Sequence, residues 1–433
     1  MGGVSNDLVQ FGLAPIDRAS ASEARRMMAL SLLDWVSVGV AGSREPVSQI
    51  LRDLAVESGG AAQASVIGCP QTLPAAAAAL VNGTVSHALD YDDTHFAHIG
   101  HPSVAVLPAA IAMAETTGAS GAHMLDAALI GVEASIRVGR WLGRTHYETG
   151  FHQTATAGAF GACVAAGRLA GLTAAQMSHA LGLCATRATG LKSQFGTMGK
   201  PYHAGLAAQT GVEVVRAAKA GFTSTPESID GPQGFGPTHA GEDNRQAFDG
   251  LGVTWDILTI SHKFHACCHG THAMLEALAG INCPADEVAE LQLWTHPRWL
   301  SVCNIPHPAT GLEVKFSYAH LAAMALSGVN TAALDSFSDA IAQDPDLIRL
   351  AARVHVSADD NLPETAALVE LTSTTGALFT RDHNLNAPMS LAQRQAKIVA
   401  KSRALLGAQS DQVFNAIRAG PDLPVLTGLL RAA

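Results

Sequence analysis

From Ser20 to about Ala218, apolar and small residues occupy nearly every side of the helical period. Examples are SEARRMMALSLLDWVSVGVAG, LPAAAAALVNGTVSHAL, VAVLPAAIAMAETTG and GAHMLDAALIGVEASIRVGRWLG. A helix that is apolar all round packs on several sides rather than on one face. Gly, Pro and Ser/Thr breaks between these stretches predict helical hairpins. Near His262 the pattern changes. ELQLWTH, ARVHVSA and ALVELTSTTG alternate with a period of two, which predicts short strands, while HGTHAMLEALAG and KFSYAHLAAMALSG keep helical spacing. Helices return from about Leu391 with LAQRQAKIVAKSRALLG and SDQVFNAIRAG. The expected fold is mainly α: a large all-α domain of helical hairpins, residues 1–262 and 389–433, and a smaller α+β domain, residues 263–388.

Composition narrows the partners. The chain has 433 residues, 48% hydrophobic and only 15% charged, enough to bury a large core. Its formal charge of −10, with no basic run, argues against nucleic acid and anionic membrane surfaces as partners. No uninterrupted apolar run approaches the ~18 residues of a membrane span. The N-terminal segment lacks the basic-then-apolar layout of a secretory signal. Seven scattered cysteines, with Cys163 and Cys184 inside apolar helical text, read as reduced thiols of a cytoplasmic protein.

Candidate chemistry concentrates in three places. Residues 82–108 carry Asp90, Asp92 and Asp93 with His87, His95, His98 and His101, and then run into an apolar helix that begins HPS. Carboxylates beside imidazoles can serve as general acid and base, because each shifts the other's pKa. The residue types also suit a metal, but their spacing matches no compact metal motif, so no metal site is assigned. The second place is GFHQTAT, where His152 opens a helix of small residues whose free N–H groups suit an anion. The third is KFHACCHGTH, residues 263–272, which lacks zinc-finger and iron–sulfur spacing. Lysine adds a further signal. The first 191 residues contain none, and then Lys192 and Lys200 arrive together in LKSQFGTMGKPYH. An ammonium beside Tyr202 and His203 suits an anion site. No Gly-rich phosphate loop or GxSxG is present, which leaves nucleotide cofactors and a hydrolase-type serine unsupported.

Five segments in order, HALDYDDTH…GHPS, GFHQTAT, FGTMGKPYHAG, KFHACCHGTH and EVKFSYAHLAA, resemble the MmgE/PrpD family. That family includes 2-methylcitrate dehydratase, iminodisuccinate epimerase and cis-aconitate decarboxylase. The resemblance implies a helical domain with a smaller α+β domain, an active site between them, and catalysis without metal or organic cofactor. A homodimer is expected from it and from the apolar excess. Position by position, Asp90, Thr94, His101, His152, Lys200 and Cys268 fall where the family places site residues, and His203 and His272 lie in its KPxH and TH motifs. On this basis His152, His101, Asp90 and Lys200 are the catalytic candidates, and Thr94, His203, Cys268 and His272 the substrate-binding ones. Within that set His152 and His101 are candidate base and acid, Asp90 tunes an imidazole, and Lys200 clamps a carboxylate. Decarboxylase-like members carry His at the position of Cys268, many members carry Tyr at that of His320, and KFHAC replaces the usual KPYPAC. These departures argue against cis-aconitate decarboxylation, and the reading placed first is a dehydratase of a hydroxylated di- or tricarboxylate such as 2-methylcitrate. An epimerase of an iminodisuccinate-like dicarboxylate, or a decarboxylase of an aconitate-like acid, is the alternative.

Overall fold

A computed structural model describes residues 3–433. Met1 and Gly2, which open the N-terminal segment read above, lie outside the described residues. The chain forms two compact units, residues 1–262 with 406–433, and residues 263–405.

The first unit is built from α1 (Val4–Leu13), α2 (Ser22–Gly42), α3 (Pro46–Ser58), the strands β1 (Ala64–Val66) and β2 (Cys69–Leu73), and α4 (Ala75–His87). It continues with α5 (Pro102–Thr117), α6 (Gly121–Thr149), α7 (Gln153–Leu169), α8 (Ala174–Arg187) and α9 (Gly199–Lys219). Its C-terminal helices span Gln409–Arg418 and Leu423–Arg431. The antiparallel β1–β2 hairpin is an addition to the all-helical reading of this unit. It is too short to show an alternating pattern.

Small residues set how closely the helices approach. A Cβ on Gly131 of α6 would meet the Gly161 carbonyl of α7 at 2.6 Å, and one on Gly83 of α4 would meet the Gly205 Cα of α9 at 2.8 Å. These contacts fix where the helix ends lie. Among the described residues, no helix is long and apolar enough to cross a membrane.

The second unit carries a four-stranded sheet ordered β4 (Val354–Ala358), β3 (Val288–Thr295), β5 (Ala366–Ser373), β6 (Leu378–Asn384). β3 runs parallel to β4 and antiparallel to β5, and β6 is the outer antiparallel strand. Helices His272–Leu278 and Tyr318–Leu326 contribute Met274, Leu275, Tyr318 and Leu321 to its core, which also holds Leu291, Leu293, Val369 and Leu371 of the sheet. This unit extends past the boundary read at 388. Lys397 pairs with Glu276 at 2.6 Å and stands over the Phe264 ring, which holds most of helix Leu391–Leu406 to it.

The first unit buries an unusual number of imidazoles. Desolvation depresses His87, His95 and His146 to about 4, and His98 to about 3. Each is neutral in the fold but binds a proton near 6.5 when unfolded. The unfolded state therefore takes up more protons as pH falls below 6.5, and stability rises with pH from about 4 to 6.5. Urea melts at pH 7 and pH 5 should show a loss on the order of 2 kcal/mol per such histidine at pH 5. An unchanged midpoint would show that these rings are not neutral and buried.

Candidate active site

Four helix ends carry the candidate groups of the first unit. His87 is the last residue of α4, His101 is the N-cap of α5, His152 is the N-cap of α7, and Lys200 and His203 lie in the first turns of α9. Three of the four are N-termini, which direct unsatisfied N–H groups and a partial positive charge outward.

Asp92 joins two of these ends. Its carboxylate is 2.9 Å from His87 Nδ1 and 2.9 Å from His101 Nδ1. Burial alone would raise its pKa, but the two imidazoles overcome that and hold it well below the usual carboxylate range. An ionised carboxylate only accepts, so His87 Nδ1 donates to Asp92 Oδ1, while His101 Nδ1 faces Oδ2 as an ion pair without hydrogen-bond geometry. His101 has a second carboxylate, Asp90 Oδ1, 3.2 Å from Nε2. Burial would push the His101 pKa down, yet Asp92 and Asp90 together raise it. Both carboxylates thus favour the protonated ring. His87, whose Nε2 has no hydrogen-bond partner, stays neutral.

Asp90 also pairs with Lys200, Nζ to Oδ1 2.6 Å. It is the exposed member of the group, and its φ of 49° lies in the left-handed region that Asp tolerates better than most residues. This conformation turns its carboxylate toward His101 and Lys200 while the adjacent Asp92 is buried.

His152 supplies the opposite protonation state. It is 2% exposed, and desolvation, followed by the charges of His87, Lys200, His101 and His203, holds its pKa well below the ordinary value. Its Nδ1 lies 3.2 Å from His203 Nδ1, so one nitrogen must donate and the other accept. Gly190 shapes this pair: its φ is 144°, and a Cβ there would press on Ala155 at 2.9 Å and meet the His152 Cβ and the His203 ring at 3.4 Å. The Phe195 ring stands edge-on to His152, with centroids 5.0 Å apart, and lies 5.6 Å from Lys200 Nζ.

The remaining loop residues hold the loop in place. Asp93 accepts from the Ser103 hydroxyl at 2.5 Å, and burial lifts its pKa to about 6. Thr94 exchanges backbone hydrogen bonds with Ser261, and its hydroxyl donates to the Ser261 carbonyl at 3.1 Å. His95 Nε2 meets Thr259 Oγ1 at 2.7 Å. His98 is fully buried, and neither ring nitrogen has a hydrogen-bond partner. Lys192 donates to the Tyr147 carbonyl at 3.0 Å and caps the ring of the same residue. The structure therefore brings together Asp90, His101, His152, Lys200 and His203 of the sequence candidates.

It adds His87 and Asp92, which the sequence reading counted in the candidate loop but left out of the catalytic and substrate-binding sets. Their one signal is the dense acid and histidine text around residue 90. His87, Asp90, Asp92 and His101 place four metal-type donor atoms within 4.8 Å of one another. The carboxylate oxygens of that set already face Lys200, His87 and both nitrogens of His101, so the chain's own cations balance its charge.

Cys268 and His272 belong to the second unit. Cys268 is partly exposed beside Cys303, while His272 is buried, with Nε2 3.3 Å from the Cys267 carbonyl oxygen. His320 is a core histidine there, donating from Nε2 to the Ile341 carbonyl at 3.0 Å. A separate cavity of about 830 Å³ in the first unit, walled by Phe11, Phe248, Trp255 and Arg245, shares no lining residue with the His/Asp/Lys cluster.

Comparison with known proteins places the chain in a family. The MmgE/PrpD N-terminal domain matches residues 14–247 and the MmgE/PrpD C-terminal domain matches residues 265–420. A cis-aconitate decarboxylase of Aspergillus terreus is 32% identical over 267 residues, covering 58% of this chain and 54% of that enzyme. The match therefore takes in about half the length of the fungal relative. Human cis-aconitate decarboxylase is 28% identical over 371 residues, 81% of this chain and 76% of the human enzyme, and the mouse enzyme is 26% identical over 313 residues. With both domain types matched in order along the chain, the protein belongs to the MmgE/PrpD family.

Proposed function

We propose that this chain is a lyase that decarboxylates an aconitate-like tricarboxylate, using an imidazolium, a neutral imidazole and a lysine ammonium. The observation that carries the reaction type is the extended similarity to decarboxylases of cis-aconitate, which favours this alternative over the dehydratase first read from the sequence. The catalytic groups are argued from the opposed protonation states of His101 and His152. Paired groups whose surroundings push their pKa values apart divide acid from base.

In this reading, Lys200 and the N-termini of α5, α7 and α9 hold the substrate carboxylates. An ammonium has three N–H donors, so Lys200 can keep Asp90 and still bind an anion. When the C–C bond to the leaving carboxylate breaks, CO2 departs and its electron pair stays on carbon, delocalised toward a remaining conjugated carboxylate. Fixed positive charge from Lys200 stabilises that oxygen charge at a partly buried site where screening is weak. His101 then gives the carbanionic carbon a proton, and Asp90 and Asp92 hold its ring in place. His152 and His203 orient the substrate and receive a proton where the reaction requires one.

A hydro-lyase or epimerase reading shares this carbanion and is favoured by one observation, Cys268 in place of the histidine of decarboxylase-like members. Proton NMR in D2O separates the three. EDTA-treated protein should convert cis-aconitate with loss of CO2 and incorporation of one deuterium into the product. Olefin formation from 2-methylcitrate, or deuterium exchange into iminodisuccinate without bond loss, with cis-aconitate untouched, would overturn decarboxylation.

Two substitutions test the assigned roles. Lys200→Ala should lower kcat/KM by about 10²-fold or more; full activity would remove Lys200 from the site. Because His101 acts in its protonated form, turnover should fall as pH rises through its raised pKa. Asp92→Asn removes the largest charge effect raising the His101 pKa and should move the basic limb of the pH–rate profile down by roughly 1–3 pH units. A limb that stays in place would assign it to another group.

A further inference from the structure

The second unit holds a thiol pair that the proposed reaction does not use. Cys303 Sγ lies 3.0 Å from Cys268 Sγ, and both residues are thiols. The two differ in access: Cys303 is fully buried and Cys268 is partly exposed. Both are tied to one short segment. Cys268 N–H donates to the Lys315 carbonyl at 3.0 Å, and Tyr318 N–H donates to the Cys303 carbonyl at 3.1 Å. Cys303 N–H donates to the Trp299 carbonyl at 2.7 Å, so the closeness of the two sulfurs is built into the backbone. We propose that Cys268 and Cys303 form a peroxide-sensitive pair that closes to an intramolecular disulfide.

The chemistry runs in two balanced steps. The Cys268 sulfur attacks a hydroperoxide, the O–O bond breaks, and sulfur gives up two electrons, leaving a sulfenic acid and releasing the alcohol or water. The Cys303 sulfur then attacks the Cys268 sulfur, the S–O bond breaks, and the departing hydroxide takes the Cys303 proton as water. Two thiols and one hydroperoxide thus yield a disulfide, an alcohol or water, and one further water. A dithiol reductant reverses it by exchange.

Cys267, although adjacent in sequence, is a poor competitor. Consecutive Cα atoms lie ~3.8 Å apart, below the ~4.4 Å lower limit of ordinary disulfides. Its sulfur is engaged with Thr271 Oγ1 at 3.2 Å. Lys263 and Lys315 act on Cys267 in the direction that favours thiolate, which places two ammonium groups near this loop.

The test treats the full-length protein with hydrogen peroxide under non-reducing conditions. Intact mass should fall by two hydrogen atoms. Digestion with fragmentation between residues 267 and 268 should locate the link at Cys268–Cys303, and dithiothreitol should restore the mass. In Cys303→Ala the mass loss should vanish, and dimedone should trap a sulfenic acid at Cys268. A link confined to other cysteines would overturn the proposal, as would wild-type Cys268 reaching sulfinic acid as fast as it does in Cys303→Ala. Should that variant fail to fold, the wild-type map alone decides. None of these readouts depends on which reaction the protein catalyses.

Discussion

An ionised carboxylate sealed inside an apolar helical unit is the constraint on which the rest of the site depends. Asp92 is 1% exposed and has an imidazole on each oxygen. Burying such a charge is expensive unless it is paired and its remaining acceptor capacity is used. His101 meets that demand by taking a proton, and the proton it keeps is the one the proposed chemistry spends. Asp90 and Lys200 then extend the alternation of charge outward to the partly exposed edge. Asp92 and His101 each favour the charged form of the other.

The scaffold makes this possible by bringing helix ends, rather than helix faces, together. Gly131 against Gly161 and Gly83 against Gly205 let α6, α7, α4 and α9 pack with backbones nearly touching. Helices packed so closely leave little play at their termini, where His87, His152 and Lys200 sit. The loop joining α4 to α5 is strained as well as tethered. Ile99 has a φ of 55°, unfavourable for a β-branched residue, and the hydrogen bond from His95 N–H to the Gly100 carbonyl closes the turn around it. Such strain persists where the surroundings over-determine the conformation.

Much of this was legible in the sequence, for physical reasons that differ by element. The start of α5 was marked by proline at its first position, and α7 by the small residues that follow His152. β3 and β5 alternate strictly enough to be read, whereas β6, LFTRDHN, is an outer strand with both faces partly wet and shows no period. The histidines of the loop could not be sorted. His95 and His98 are the same residue type as His87 and His101, within a few residues of them, yet they turn into the scaffold. The loop passes through positive φ at Asp90 and Ile99, and side-chain type alone does not encode such a path. Asp92 was passed over because a buried carboxylate looks like any loop acid until its two partners are seen in space.

The scarcity of lysine in the first unit carries a practical consequence. Its lysines are Lys192, Lys200 and Lys219, and all three fall within one short stretch of the chain. Lys192 caps the Tyr147 ring and donates to a carbonyl, and Lys219 donates to the Ala170 carbonyl at 2.6 Å. Lys200 alone of the three is paired with a carboxylate that is itself half exposed. For amine-directed covalent probes, this unit therefore offers three lysine side chains, of which Lys219 is exposed and Lys192 and Lys200 are half-buried. A labelling map that would be crowded on an ordinary protein surface reduces here to three sites, and occupancy of the candidate site by an anion becomes visible as protection of Lys200 against the other two.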